Sequence, residues 1–515
     1  MKTIKNIIIT CCVLMGLTGC DKGFEELNIS PYAINDLDPS FIFARTQIDL
    51  NFGSWEGEAT IAQYFQNAYD LGATSGFQFN ENNNNFNQIR WGNGADNYRT
   101  SIKNLIQGLE NIGDDPSRAN LRSMMRIWKA LIFMNMVDTH GDVPYSEAGR
   151  GFLDGNFAPK YDDDAAIYDD LYTEITEATA ALNPSGDIVT ADLIYNGDVA
   201  KWRKMGNSLL LRLGMRYSKL NPTKAASIAL EAFNGGVMQT NADDCVLFYN
   251  ALYTNGMNGI SGNNPRFYYI EEPLIDQYQL TQDPRSKYVA GKYSDPNDVL
   301  NNPPDVTLSE QQGFPVGYSD VTAVALADYP GTKGTGLDYS QPNYFAMFSL
   351  LAPRFFITNS QTKLLLAEAA FRGWIPGNAQ ALYEEGIRAS MGQYALYPGG
   401  YGAITTAEQD AYIADADVAY NATDALRLIN TEYWVSNVNN PLEGWANFRR
   451  SGWPALQPNP YNGGLPGDGF VHRVPYPTQE GGSNPDNYAA ARAAMGINAD
   501  NSNALTVRVF WDVAQ

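Results

Sequence analysis

The chain is poor in the residues that build cross-links and transition-metal sites. It contains four cysteines and two histidines in 515 residues. Three of the cysteines lie within the first 20 residues: Cys11 and Cys12 would leave with a signal peptide and Cys20 would carry lipid, so only Cys245 would stay a free thiol and no internal disulfide would form. His140 and His472 alone do not make a multi-histidine zinc site. Disulfide scaffolds, cysteine metal clusters and multi-histidine zinc sites are therefore excluded.

The sequence also has little positive charge and lacks the common nucleotide and hydrolase motifs. It carries 35 basic against 57 acidic residues, a formal net charge of −22. Such a chain repels phosphate backbones, which argues against nucleic acid as a partner. It has no Walker loop, no G-x-G-x-x-G segment and no G-x-S-x-G nucleophile elbow. We therefore assign no catalytic residue and no organic cofactor.

The N-terminus carries an export signal. Lys2 and Lys5 precede an apolar stretch over residues 7–17, a length typical of signal peptides. Residues 17–20 read LTGC and match a bacterial lipobox, in which the cysteine receives diacylglycerol. We expect residues 1–19 to be a signal peptide and Cys20 to be acylated. Two or three acyl chains hold a protein firmly at a membrane.

The segment 124–137 organises the rest of the chain. It is apolar almost all the way round a helical turn, a pattern typical of a helix buried by other helices. It is too short to cross a bilayer, which takes roughly 20 apolar residues. Gly141 is expected to end the helix and Pro144 to prevent it from restarting. This segment therefore predicts the central helix of a helical core.

Further helical periodicity predicts a mainly α protein built on a tetratricopeptide-like scaffold of helix pairs. The scaffold is expected over residues 58–236 and 346–450, with its first helix starting near Glu58. Residues 237–345 form a long irregular insertion, in which only residues 272–280 have a helical pattern. A loop-rich tail covers residues 451–515. Because core helices flank the insertion, we expect residues 20–515 to form a single domain.

Three groups of polar residues resemble metal or acid–base sites. Asp138-x-His140-x-Asp142 follows the central helix, but Gly141 interrupts it, so we expect the three side chains to diverge. Oxygen ligands for a structural calcium ion cluster at residues 162–164 and at Asp295-x-Asn297-Asp298. Neither segment fits an EF-hand loop, and solvated turns and helix starts explain both. We therefore assign no metal site.

Aromatic and amide side chains alternate in two loop regions, and they are the better indication of binding. Flat rings stack on the apolar face of a sugar, while amides bond to its hydroxyls. A partner interface or packing within the loops is the alternative. The candidate ligand-binding residues are Phe79, Asn80, Trp91, Asn93, Tyr249, Arg266, Tyr268 and Tyr269.

Motifs along the whole chain resemble the SusD/RagB family of nutrient-binding lipoproteins from Bacteroidetes. Besides LTGC they are FEELN at 24–28, GDVPYSEA at 141–148, GDVAKWRKMGNSLLLRLGMR at 197–216, LLLAEAAFRGW at 364–374, EGWANFRRSGWPAL at 443–456 and RVPYPTQE at 473–480. The resemblance implies a non-enzymatic, surface-facing outer-membrane lipoprotein. Such a protein passes an oligosaccharide, or in some cases a peptide, to a TonB-dependent SusC-like transporter. It also implies that Trp91 and Asn93 correspond in position to the Trp and Asn that help to form the sugar platform in glycan-binding members.

Two other functions remain open from the sequence. A lipid-anchored polysaccharide hydrolase would need two carboxylates at a spacing in space that sequence does not reveal. A purely structural lid would bind the transporter and no nutrient.

Overall fold

The computed structural model describes residues 37–49, 55–69, 78–79, 84–88, 90–91, 98–255 and 265–514. The predicted signal peptide, the lipobox with Cys20, and the candidate residues Asn80 and Asn93 lie outside these ranges. Within them, no helix combines the length and hydropathy needed to span a membrane.

The first half is built from consecutive helices. They are α1 (Pro39–Asp49), α2 (Trp55–Ile61), α3 (Lys103–Ile112), α4 (Ala119–His140), α5 (Asp164–Ala181), α6 (Val199–Arg216) and α7 (Pro222–Gly235). Helix α4 packs on α5, α5 on α6, and α6 on α7. Side chains cap three of these helices, since Asp163, Asp198 and Asn221 each accept a hydrogen bond from a backbone amide of the first turn.

The second half completes the helical scaffold. Its helices are α8 (Glu272–Thr281), α9 (Asn359–Phe371), α10 (Ala379–Gln393), α11 (Thr406–Ile413), α12 (Ala425–Ser436), α13 (Pro441–Ser451) and α14 (Pro485–Ala494). Helix α9 packs on α10 and α12, and α6 contacts α9 and so joins the two halves. The mainly helical fold class is thus confirmed. The division into a scaffold, an insertion and a tail stays a prediction.

The central helix predicted over residues 124–137 is α4. It extends beyond that range at both ends, and nearly all its side chains are buried, including Trp128 and Phe133 at 0% exposure. Gly141 follows it with φ +78°, a conformation that favours glycine. The Gly141 amide bonds to the Val137 carbonyl and closes the last turn. Both the buried helix and its glycine terminus are confirmed.

The helical pattern that starts near Glu58 covers residues 58–70 of the sequence, and its second half does not form a helix. Helix α2 ends at Ile61, and Gln63 adopts φ +59°, which no helix interior allows. The chain then forms strand β1 (Phe65–Asn67), which pairs antiparallel with β3 (Tyr268–Ile270). Tertiary pairing with the distant strand outweighs the helical periodicity here.

Short strands and turns stabilise the irregular insertion. Besides β1 and β3, the described residues contain β2 (Cys245–Leu247), β4 (Ala290–Gly291), β5 (Thr332–Lys333), β6 (Gly336–Leu337), β7 (Gln341–Pro342) and β8 (Arg354–Ile357). They pair as β2 with β8, β4 with β7, and β5 with β6, all antiparallel. The helix expected over residues 272–280 is observed as α8.

Buried ion pairs connect helices that are far apart in sequence. Arg216 on α6 bonds to Asp138 on α4 and Glu443 on α13, and all three are at most 5% exposed at the side chain. Arg450 on α13 bonds to Glu368 on α9. Buried charges are tolerated only when paired and hydrogen-bonded, so these contacts strongly constrain how the helices pack.

Candidate functional site

The Asp138-x-His140-x-Asp142 segment does not form a site. Asp138 accepts hydrogen bonds from Tyr168, Arg216 and Trp511 inside the core. Burial lowers the pKa of His140 to about 3, so the ring is neutral, and it bonds to a backbone carbonyl. The carboxylate of Asp142 turns instead to the amide of Asp164, 3.0 Å away. The expected divergence of the three side chains is observed.

Asp142 does form an acidic cluster with two residues at the start of α5. One carboxylate oxygen each of Asp142, Asp163 and Asp164 lie within 4.8 Å of one another. Burial raises the pKa of Asp142 to about 6 and that of Asp164 to about 7. Asp163 caps α5 and Asp164 accepts the amide of Phe510, so these oxygens already serve the fold.

The other calcium candidate is also occupied by hydrogen bonds within the protein. Asp295 accepts from the amides of Asn297 and Thr335, and Asp298 accepts from Asn301 and Asn302. Backbone hydrogen bonds lower the pKa of Asp295. These contacts are those of a loop held together by its own carboxylates.

Trp91, a predicted ligand-binding residue, lies at the centre of an aromatic cluster. Its ring is within 5.0 Å of Tyr98, 5.4 Å of His140, and 5.7 Å of both Tyr161 and Tyr476, measured between ring centroids. The Tyr161 ring is stacked on it at an interplanar angle of 27°. These contacts leave Trp91 only 8% exposed. The ring is rigidly held, and little of it is accessible to a ligand.

The accessible part of Trp91 opens on a groove of about 350 Å³, here called the Trp91 groove. Its most exposed ring is Phe157, at 78%. The groove is lined by Trp91, Tyr98, Arg99, Pro144, Ala148, Gly149, Arg150, Gly151, Asn156, Phe157, Pro159, Glu480, Ser483 and Asn484. It thus combines aromatic rings with amide, hydroxyl, guanidinium and carboxylate groups.

Hydrogen bonds orient the walls of the Trp91 groove. The Tyr98 hydroxyl donates to the Pro144 carbonyl at 2.6 Å, and the Tyr161 hydroxyl donates to Glu480 at 2.9 Å. Burial, together with the charge of Glu480, raises the pKa of Tyr161, so its hydroxyl stays protonated. Asn484 donates to the Pro159 carbonyl. The groove is therefore preorganised.

The other predicted site residues do not converge on the Trp91 groove. Phe79 is partly buried against Phe86, with ring centroids 6.0 Å apart. Tyr249 stacks on Tyr253 at 5.6 Å, and Arg266 is exposed with its guanidinium over the Phe267 ring.

Two predicted residues lie in the core. Tyr268 and Tyr269 belong to β3 and are 3% and 0% exposed, so a ligand reaches neither ring in this conformation. Tyr268 packs into the main hydrophobic core, and Tyr269 packs into a smaller one with Phe314 and Tyr339, so both faces of β3 are buried. The aromatic pattern of the sequence does not reveal this packing.

Sequence reasoning missed several residues of the Trp91 groove. Glu480 belongs to the RVPYPTQE motif and Pro144 to GDVPYSEA, so the two motifs that meet here were already visible. Phe157 follows a glycine-rich segment, residues 149–155, and has no distinctive local pattern. Its exposure is what makes it a candidate contact.

Comparisons with known proteins agree with this architecture. A SusD-like family model described as "Starch-binding associating with outer membrane" matches residues 31–477. No protein with curated annotation matches significantly. A solved structure titled "chitin-binding protein" is 28% identical, with a TM-score of 0.78 over 92% of this chain and 100% of its own.

Two further solved structures share the fold. One, titled "Bacteroidetes AC2a SusD-like", is 25% identical with a TM-score of 0.77 over 93% of this chain and 100% of its own. A SusD homologue from Bacteroides uniformis is 21% identical with a TM-score of 0.73 over 92% and 99%. The family match covers most of the sequence, from the N-terminal region to the motif that contributes to the Trp91 groove. The chain therefore belongs to the SusD-like family.

Proposed function

We propose that the protein is a cell-surface lipoprotein that binds an oligosaccharide in the Trp91 groove and delivers it to a TonB-dependent SusC-like transporter. The observation that carries the proposal is that Trp91, a predicted platform residue, lines a groove that combines exposed and half-buried aromatic rings with polar groups. The family description and the chitin-binding relative support carbohydrate as the ligand class.

The chemistry of the groove suits a sugar. A pyranose presents an apolar C–H face to aromatic rings and hydroxyl groups around its rim. Phe157 and Tyr98 offer ring surface, while Asn156 and Glu480 offer hydrogen-bonding groups at the edge. Because hydrogen bonds hold Tyr98 and Tyr161 in place, little conformational entropy is lost on binding. Acylation of Cys20 would keep the groove at the membrane where a transporter operates.

The test compares two exposed phenylalanines from the same region. Phe157 lines the groove, whereas Phe152 does not line it and is 83% exposed. Titration calorimetry with chito- and malto-oligosaccharides is expected to show binding by the wild type. Phe157→Ala is expected to weaken it about tenfold, a loss of about 1.4 kcal/mol, and Phe152→Ala to leave it unchanged. If both variants bind the oligosaccharide with equal affinity, the Trp91 groove is not its binding site.

The alternatives have distinct outcomes. A peptide-binding lid would bind a peptide library and no glycan. A hydrolase would shorten the oligosaccharides on incubation, which chromatography detects. A purely structural lid would form a complex with the co-expressed transporter and bind neither ligand. We expect transporter binding together with glycan binding and no turnover.

A further inference from the structure

A second pocket lies away from the residues of the Trp91 groove and is larger. Its volume is about 560 Å³, within the usual range for small-molecule sites. Three segments build it: one face of α8, one face of α12, and the loop that follows α13. We call it the Trp453 pocket. It is lined by Pro273, Asp276, Gln277, Gln279, Leu280, Arg427, Thr431, Trp434, Trp453, Pro454, Ala455, Leu456 and Gln457.

The spacing of the lining residues follows from helix geometry. On α8 they include Pro273, Asp276, Gln277 and Leu280, which recur at intervals of three and four and so share one face. On α12 the lining residues 427, 431 and 434 follow the same rule. One face of each helix and the loop therefore line the pocket together.

The base of the Trp453 pocket is rigid. Trp434 is fully buried, its indole N–H donates to the Ala62 carbonyl at 2.9 Å, and the Tyr64 ring stacks on it at 4.9 Å. The Tyr64 hydroxyl donates to the Trp434 carbonyl at 2.7 Å. These two hydrogen bonds and the ring stacking fix the position of Trp434, so its side chain does not move into the pocket.

The loop that carries Trp453 is also held in place. The Trp453 amide donates to the Ser451 hydroxyl at 3.1 Å. The side-chain amide of Gln63 donates to the Gln457 carbonyl and its oxygen accepts the Gln457 amide. Gln63 is the residue with φ +59° that follows the end of α2, so the early end of that helix places the side chain that makes these two hydrogen bonds. The partly exposed Trp453 ring is thereby presented from a preorganised loop.

Polar side chains of four kinds line the pocket together with that ring. They are the carboxylate of Asp276, the amide of Gln277, the guanidinium of Arg427 and the hydroxyl of Thr431. Arg427 donates to Asp424 from its Nε and Nη2 atoms, and among the described residues its Nη1 atom has no hydrogen-bond acceptor. Burial raises the pKa of Asp276. The rim thus offers both donors and acceptors.

We propose that the Trp453 pocket is a second saccharide-binding site. A strongly anionic ligand would meet Asp276 and a cationic one Arg427, so a neutral ligand fits best. A purely apolar ligand would leave the polar rim unpaired, which is costly. A neutral molecule with one apolar face and many hydroxyl groups satisfies both the indole and the rim. That molecule is a sugar ring.

This proposal rests on the proposed function for its ligand class and adds a separate site. Two sites on one chain bind two stretches of one polysaccharide, so a long glycan is retained more strongly than a short one. The Trp91 groove and the Trp453 pocket share no lining residue. Each is therefore removable without touching the other.

The experiment is calorimetry on the purified protein with chitohexaose and with maltohexaose. Wild type is expected to bind two molecules of its preferred oligosaccharide per chain. Trp453→Ala is expected to abolish one of the two binding events, and Phe157→Ala is expected to weaken the other about tenfold. The matched control is Trp374→Ala, which removes a partly exposed tryptophan outside the pocket. Asp276→Asn is a second test of the same pocket, which stays available if Trp453→Ala does not fold. It leaves the loop sequence intact and is expected to weaken binding at this site about tenfold.

The outcomes separate the two proposals. If Trp453→Ala and Asp276→Asn both bind like wild type and Trp374→Ala, the Trp453 pocket is not a saccharide site, while the proposed function stands. If Phe157→Ala alone leaves binding unchanged, the Trp91 groove fails and the Trp453 pocket stands. If wild type binds neither oligosaccharide, both proposals are overturned.

Discussion

The buried ion pair between Glu368 and Arg450 permits a quantitative stability prediction. The carboxylate of Glu368 is fully buried and receives two hydrogen bonds from Arg450, at 2.8 and 2.9 Å. Arg372 adds a third at 2.8 Å. Glu368→Gln keeps the size of the side chain and removes its charge, so it isolates the electrostatic part of these contacts.

Two routes give the same magnitude. Burial opposes ionisation of Glu368, but Arg450 and Arg372 outweigh it and lower its pKa from 4.5 to about 2. At about 1.4 kcal/mol per unit of pKa, that difference corresponds to about 3 kcal/mol of folding free energy. Removing one partner of a buried ion pair generally costs about 3–5 kcal/mol. We therefore expect Glu368→Gln to lose about 3 kcal/mol at pH 7.

The pH dependence is the sharper test. Because the pKa of Glu368 is lower in the folded than in the unfolded chain, its contribution is complete above about pH 4.5. It is lost as pH falls towards 2. By pH 3.5 it is expected to fall to about 2 kcal/mol. The difference between wild type and Glu368→Gln should therefore shrink as the solution is acidified.

Urea unfolding followed by circular dichroism at pH 7, 5 and 3.5 measures these differences. The control is Glu177→Gln, since Glu177 is 60% exposed at the side chain and pairs with Arg126 at the surface. An exposed pair contributes less than about 1 kcal/mol. The reasoning is refuted if Glu368→Gln costs no more than Glu177→Gln, or if its cost does not change with pH.

Three further predictions concern the core. Asp164→Asn is expected to raise the melting temperature at pH 8 and leave it unchanged near pH 4. Burial and the neighbouring Asp142 raise the pKa of Asp164 to about 7, so as pH rises from about 4 to 7 the unfolded chain ionises first and the wild type loses stability, a loss that is complete above pH 7; calorimetric scans at both pH values check this. Gly313→Ala should cost at least about 2 kcal/mol in urea unfolding, because a Cβ there would lie 2.2 Å from the Cα of Glu272. Cys245, which is fully buried and whose pKa burial raises, should react with a thiol reagent only after unfolding; absorbance in the presence and absence of urea measures this.

The sequence predicted the scaffold because most of its helices carry strong apolar periodicity. Helix α4 is the extreme case, since apolar residues surround it and a glycine ends it. Helix α11 was not predicted, because Tyr412 is its only buried residue and a single contact leaves no periodic pattern. Strand β1 was not predicted either, because its partner β3 lies far along the chain.

The candidate site was predictable only in part. Trp91 could be singled out as an aromatic residue among amides, but its burial depends on Tyr161 and Tyr476, which reach it from distant segments. The same distance effect explains Tyr268 and Tyr269, which look like exposed loop aromatics in the sequence and lie in the core. Composition identifies rings and amides, whereas long-range packing decides which of them face solvent.

The polar interior has a direct consequence for the two proposed binding surfaces. Arg449 on α13 donates to the carbonyls of Asp138 and His472, and so connects the end of α4 to the C-terminal region. The loop bearing Trp453 begins just after this buried helix, and its position therefore depends on charged contacts in the core. A buried guanidinium tolerates little displacement from its hydrogen-bond acceptors, since an unpaired charge in the interior is costly. The loops can accordingly present rigid rings to a ligand although they lack regular secondary structure.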